Sequence, residues 1–222
     1  MDLAMRFFAQ SPIFQDLDEH NRQRLAQQAV PVSLQPGEIL GLDGDPCEAI
    51  YFLVEGRVRV IKTSAQGREQ VVEELAAGEP FYVVPALDQL PLPATTQAAT
   101  RATVLRLARS DLMTLIQEQP AISMHLLRHL ARRLRTLTAL VESLSLFSVP
   151  QRLARLLLEN TVASDGHRMT QREMAAQLGT VREVIARTLG QFAEHGWLRL
   201  GRGSIEILDA QALRQLAATG DI

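Results

Sequence analysis

The chain has 222 residues, 46% hydrophobic and 22% charged, enough for two modest globular domains. Its formal net charge of −2 carries no general positive field, and with 14 basic and 17 acidic residues before Pro150 against 9 and 8 from it onward, any nucleic-acid function must rest on a few placed cations. Those are nearly all arginines, since Lys62 is the only lysine, while the single cysteine, Cys47, excludes an intrachain disulfide and a cysteine-held iron–sulfur cluster. No apolar run reaches the roughly 18 residues of a membrane span, and the first residues lack a secretion signal. The expected location is therefore the cytoplasm, with no membrane partner.

From the first residue to Ala29 the pattern is helical in pieces, with Phe7, Phe8 and Phe14 around the breaker Ser11-Pro12, then a helix from Asp18 with Leu25 and Ala29 inward. From Val32 to Leu107 turn clusters recur at about ten-residue spacing: Pro36-Gly37, Asp43-Gly44-Asp45-Pro46, Glu55-Gly56, Gln66-Gly67 and Gly78-Glu79. Between them lie short apolar runs, Ala49 to Val54, Arg57 to Ile61 and Glu69 to Glu73, which predict a small antiparallel roll. Phe81 to Pro93 interrupts this pattern with apolar, proline-bearing sequence, and strands resume at Thr95. A short helix from Ser110 ends before Pro120, and a long one runs from Ala121 to about Phe147. On it Leu126, Leu130, Leu134 (or Arg133), Leu137, Val141 and Leu144 repeat at spacings of three and four, which predicts a coiled-coil seam and a homodimer.

Pro150 opens another helix, with Leu153, Leu156 and Leu157 inward, and Ala163 to Gly166 reads as a loop. Two short helices follow, joined at Gly179. Thr170 with Glu173 and Thr180 with Glu183 read as capping boxes at their starts. On the second, Val181, Ile185, Thr188, Leu189 and Phe192 form an apolar stripe, and Glu183, Ala186 and Arg187 lie on the opposite side with Arg182 at its edge. An apolar back and an arginine-bearing, small-residue front suit a helix laid in the major groove. A hairpin around Gly201-Arg202-Gly203 and a last helix capped by Asp209 complete a winged unit. The expected fold class is α+β: an effector-sensing β-roll over 1–120, a dimerisation helix over 121–147 and a winged helix-turn-helix over 148–222. With no Walker loop, zinc spacing or nucleophile motif, no enzyme is expected.

This order of parts resembles the CRP/FNR family of bacterial transcription regulators. The segment that carries most of the likeness is Gly179-Thr-Val-Arg-Glu-Val-Ile-Ala-Arg-Thr-Leu189, supported by Pro36-Gly37-Glu38, Gly44-Asp45-Pro46, Phe52 to Gly56, Gly78-Glu79 and Ala131 to Leu134. The resemblance implies a homodimer on a near-palindromic operator in double-stranded DNA, with RNA polymerase as a further partner. It assigns base reading to Arg182, Glu183 and Arg187, on a half-site with a G·C-containing core similar to TGTGA. Thr170, Gln171, Thr180 and Arg202 are candidates for the phosphate backbone.

The resemblance also places an effector pocket in the roll, for which Gly78, Glu79, Phe81, Val83, Leu92, Leu137 and Thr138 are the candidates. Cyclic-nucleotide-binding relatives hold the ribose with a Gly-Glu pair, matched here to Gly78-Glu79, and the cyclic phosphate with an arginine whose place is filled here by Leu92-Pro93. No lysine, arginine or histidine stands between Glu69 and Thr100, so a phosphate bound there would lack its charge partner. Cyclic AMP in the usual mode is therefore not expected, and the effector is unknown. Haem is left open but not favoured, with Cys47 as the strong axial candidate, and His125 and His129 read first as polar positions on the dimer helix, not as metal ligands. Rival readings are a haem, gas or redox sensor of the same fold, and a ligand-binding module that acts through protein contacts.

Overall fold

The computed structural model describes residues 3–160, 169–201 and 204–219. The chain divides into two compact units. One comprises the residues up to Lys62 with Val72–Thr136, and the other comprises Thr63–Val71 with the residues from Leu137 onward.

The first unit is built on two antiparallel sheets. One has the order β1 (Val30–Leu34), β8 (Ala102–Ala108), β3 (Ala49–Glu55), β6 (Pro80–Phe81), and the other β2 (Ile39–Gly41), β7 (Thr95–Ala98), β4 (Val58–Thr63), β5 (Glu69–Leu75). Strand alternation divides β3 between two cores. Leu53 joins Leu34, Val58, Leu75, Phe81 and Val104 in one, against which Tyr51 packs. Ile50 and Phe52 join Leu105 and Leu107 under the helices. Those helices are α1 (Leu3–Gln10), α2 (Glu19–Gln28), α4 (Arg109–Glu118) and the start of α5 (Pro120–Leu146). Phe14 meets Phe8 and Phe52 edge to face, with ring centroids 5.0 and 5.3 Å apart. Asp18 caps α2 by accepting the Asn21 N–H at 2.7 Å. The apolar interruption holds a short helix, α3 (Val83–Asp88), that the sequence pattern did not predict. It is entered through Tyr82 and left through Gln89, both in the left-handed region at φ 63°.

Helix α5 corrects two expectations. Leu126 is only 3% exposed inside the helix-covered core, and Leu130 packs against that core, so the N-terminal half of the predicted seam faces the helix's own unit. Met124 and Leu127 are exposed there instead, in a stripe that continues through Ala131, Leu134, Thr138 and Val141 at spacings of three and four. His125 and His129 are buried rather than polar positions on an outer face. His125 Nε2 lies 2.7 Å from Asp16 Oδ2.

The second unit packs α6 (Val149–Asn160), α7 (Gln171–Leu178), α8 (Arg182–Glu194) and α9 (Ala210–Thr219) around Leu153, Leu157, Met174, Ile185, Leu189, Phe192 and Leu213. A hairpin of β9 (Leu198–Gly201) and β10 (Ser204–Ile207) joins them, and Asp209 accepts the Gln211 and Ala212 N–H groups at the head of α9. Helix α6 has a capping box: Ser148 N–H donates to Gln151 Oε1 at 2.9 Å, and Gln151 N–H to Ser148 Oγ at 3.4 Å. Its next residue, Arg152, is buried, and the guanidinium donates to the Phe147 carbonyl at 2.8 Å and the Leu178 carbonyl at 2.9 Å. Longer contacts of the same Nη1 reach Ser143 and Leu144 carbonyls. Arg155 lies 3.6 Å from the centre of the Phe147 ring and donates twice to the Ala217 carbonyl. The Ala163–Gly166 loop and Arg202 fall outside the described residues.

Candidate nucleic-acid interface and roll cavity

The helix pair begins as its sequence predicts. Thr170 Oγ1 accepts the Glu173 N–H at 3.2 Å, and the Glu173 carboxylate accepts the Thr170 N–H at 2.8 Å and its hydroxyl at 2.9 Å. The Thr170 hydroxyl is thus engaged in capping, and a carboxylate already stands at the start of α7. The second box does not form. Helix α8 begins one residue later, with Val181 as its N-cap and no side-chain cap bond. The reason lies at the end of α7. Gly179 adopts φ 63°, and both its N–H and that of Thr180 donate to the Ala175 carbonyl, so Thr180 closes the first helix instead of opening the second. The positive φ favours glycine at this position, and a Cβ there would also have to displace the end of the Gln70 side chain, whose Oε1 would lie 2.1 Å away.

Val181 is 43% exposed and leaves the apolar stripe, which consists of Ile185, Thr188, Leu189 and Phe192. Thr188 is accommodated because its hydroxyl donates to the Val184 carbonyl at 2.9 Å. Arg182, Glu183, Ala186 and Arg187 are exposed on the other side. Neither arginine nor Glu183 makes a hydrogen bond or ion pair with another described residue. Gly190 and Gln191 continue this face, and nothing lies within 4 Å of where a Gly190 Cβ would be. Gln171 and Thr180 are half-buried at the helix starts. The front of α8 is therefore a set of uncommitted donors and acceptors among small residues, held by a fully packed back.

In the roll, the expected pocket residues separate. Glu79 Oε2 accepts the Ala76 N–H at 2.7 Å, and Gly78, at φ 95°, lies in the same turn. Phe81 and Val83 are each 1% exposed core residues. Leu137 and Thr138 lie on exposed turns of α5. Only Leu92 of that set borders a cavity of about 320 Å³ in the first unit. Its walls are Leu40 and Gly41 of β2, the turn 45–48, Ala49 and Tyr51 of β3, Tyr82, Leu92, and Arg106 of β8. The turn is held in place by Leu92 N–H donating to the Asp45 carbonyl and Gly44 N–H to the Leu92 carbonyl. The Tyr82 hydroxyl fits because a Cβ at Gly41 would lie 2.6 Å from it. Burial raises the Tyr82 pKa to about 12, against the opposing effect of the Thr96 hydroxyl, so the phenol stays protonated. The Arg106 side chain has no hydrogen bond or ion pair among the described residues.

Away from this cavity, β5 and α5 share an inward ion pair, Glu73 with Arg133. Burial pushes the Glu73 carboxyl up to about 7; Arg133 opposes this and Glu79 adds to it. His129 is pushed down to about 4, first by burial and then by Arg133 and Arg132. No group of three or more metal-ligating side chains occurs among the described residues, nor does any helix among them have the length and apolarity to cross a membrane.

Comparison with known proteins decides the family. Residues 31–119 match the cyclic nucleotide-binding domain, and residues 151–216 the Crp-like helix-turn-helix domain. The chain is 31% identical to the cyclic AMP receptor protein of Thermus thermophilus, over 98% of its own length and 92% of that protein's. The chain belongs to the CRP/FNR family of transcription regulators. It is 29% identical to the CRP-like cAMP-activated global transcriptional regulator of Mycobacterium tuberculosis, over 94% of this chain and 97% of that one. Its fold is also that of the c-di-GMP responsive global regulator CLP of Xanthomonas campestris, with a TM-score of 0.78 at 19% identity, covering 86% of this chain and 99% of that one. This regulator thus has an α+β fold with a DNA-binding helix-turn-helix. Sequence reasoning missed Arg106 and Arg152. Strand alternation with Val104 would have placed Arg106 inward, whereas nothing in the spacing of Arg152 announces its carbonyl partners.

Proposed function

We propose that this regulator acts as a homodimer that reads a near-palindromic operator through Arg182, Glu183 and Arg187 of each subunit. The observation that carries the reading is the front of α8: three charged side chains without a hydrogen bond or ion pair to another described residue, beside Ala186 and Gly190, on a helix whose back is fully packed. Arginine can donate two bonds to guanine and Glu183 can accept from cytosine, which favours a G·C-containing half-site. Gln171 and Thr180 serve the phosphate backbone, together with Arg202. Two subunits related by a two-fold axis place their half-sites about 34 Å apart. The dimer forms along the exposed stripe of α5, and the regulator works in the cytoplasm with RNA polymerase as a further partner.

The signal enters through the roll and is not cyclic AMP held in the usual mode, although two relatives carry cyclic AMP in their names. The supporting observations are the absence of any basic residue between Glu69 and Thr100 and the engagement of the Glu79 carboxylate with the Ala76 N–H. Selection of bound sequences from random duplexes tests the DNA reading. Arg182→Ala is expected to relax the preference at one G·C pair, by about 1–3 kcal/mol, while overall binding still falls steeply with salt. An unchanged sequence preference in that variant removes Arg182 from base reading.

A further inference from the structure

We infer that the roll cavity is a binding site for a small organic monoanion with a flat or apolar body, its negative group held by Arg106. This rests on the reading of the roll as the sensing unit and names the class of molecule sensed. Arg106 is half-buried on the face of β8 that carries Val104, opposite the Leu105 and Leu107 of the helix-covered core, and it borders the cavity. No hydrogen bond or ion pair ties its guanidinium to another described residue. A half-buried guanidinium without a partner is a ready donor to a carboxylate, and the fork geometry favours a planar anion.

The other walls define the rest of the ligand. Tyr51 lies edge to face with Tyr82 at 5.4 Å, and Leu40 and Leu92 border the same space, so a flat or apolar body finds cover. The Tyr82 hydroxyl offers a second polar contact. Asp45 and Glu48 also line this space and disfavour a second negative charge. The volume, about 320 Å³, lies at the small end of ligand sites and admits a molecule the size of phenylacetate. Cavity and cation both lie apart from Gly78-Glu79 and from α5, so the anion is held by β8 rather than by the turn to which the resemblance pointed.

The test is calorimetric titration of the full chain with phenylacetate, and with phenylacetamide, which keeps the shape and lacks the charge. Phenylacetate is expected to bind, and both phenylacetamide and the variant Arg106→Gln are expected to weaken binding about tenfold or more. Arg101→Gln, which removes an exposed guanidinium outside the cavity walls, is expected to change nothing. Arg106→Gln has no partner to lose and should melt as the parent does; if it melts earlier, Arg106→Lys, which keeps a charge, must bind where Arg106→Gln does not. No binding of phenylacetate at millimolar concentration overturns the proposal, as does equal binding by Arg106→Gln or equal binding of the amide. Operator binding is followed in the same samples by fluorescence anisotropy. Loss of DNA binding in every sample strikes the regulator reading and leaves the titration standing. Phenylacetate binding that leaves DNA affinity unchanged overturns the sensing role.

Discussion

Gly190 is the residue whose chemistry is most at odds with its position. A glycine within a helix costs about 0.5–1 kcal/mol relative to alanine. No described residue compensates, because the space where its Cβ would stand is open. Gly190→Ala is therefore expected to stabilise the second unit by about that amount, read as a higher melting temperature. If this front meets DNA, the same variant weakens operator binding, because the added methyl stands where a base edge or sugar approaches. A lower melting temperature would contradict the open space around Gly190.

Helix α5 carries two apolar stripes, and the difference between them bears on the proposed dimer. Ile122 and Leu126 serve the core of the first unit, while Met124, Leu127 and Val141 are 50%, 58% and 63% exposed. An exposed stripe at coiled-coil spacing buries itself best against a second copy of the helix. The double variant Leu127→Asp with Val141→Asp is expected to convert a dimer into a monomer in light scattering and to lose operator affinity with it. An unchanged mass would move the dimer contact elsewhere. The same helix shows where sequence reading stops. The long periodic run was legible, but two interleaved stripes of leucine at the same spacing do not reveal which one the roll covers. The roll strands, the wing and the Thr170 box were legible because turn glycines and local capping act over a few residues. The start of α8 was misread because Thr180-x-x-Glu183 satisfies a local rule, and the N–H of Thr180 is taken by the preceding helix. The cavity was illegible for a related reason, since its walls come from β2, β3, β8 and the segment around Tyr82, far apart in sequence.

At the scale of the whole molecule, two buried titrating groups set opposing pH dependences. Glu73 binds its proton more tightly folded than unfolded, so its contribution is present below its ordinary value of 4.5 and is lost as pH rises through about 7. His129 is depressed from 6.5 to about 4, so its contribution is present above 6.5 and is lost as pH falls through that window. Between about 4.5 and 6.5 the two slopes oppose, each up to about 1.4 kcal/mol per pH unit. Denaturant unfolding is expected to give a nearly level profile for the parent chain in this range. Glu73→Gln should make stability rise with pH, and His129→Gln should make it fall; parallel profiles for all three would refute the assignment. Arg152 has a consequence of another kind. Its guanidinium bonds the end of α5 and the end of α7 at once, from a seat at the start of α6. Three helix termini therefore share one rigid planar group, and the last turn of α5 cannot rotate without carrying Leu178 and the turn at Gly179 with it. The joint leaves little slack, so the start of α8 follows the position of the α5 end through one guanidinium rather than through the chain between them.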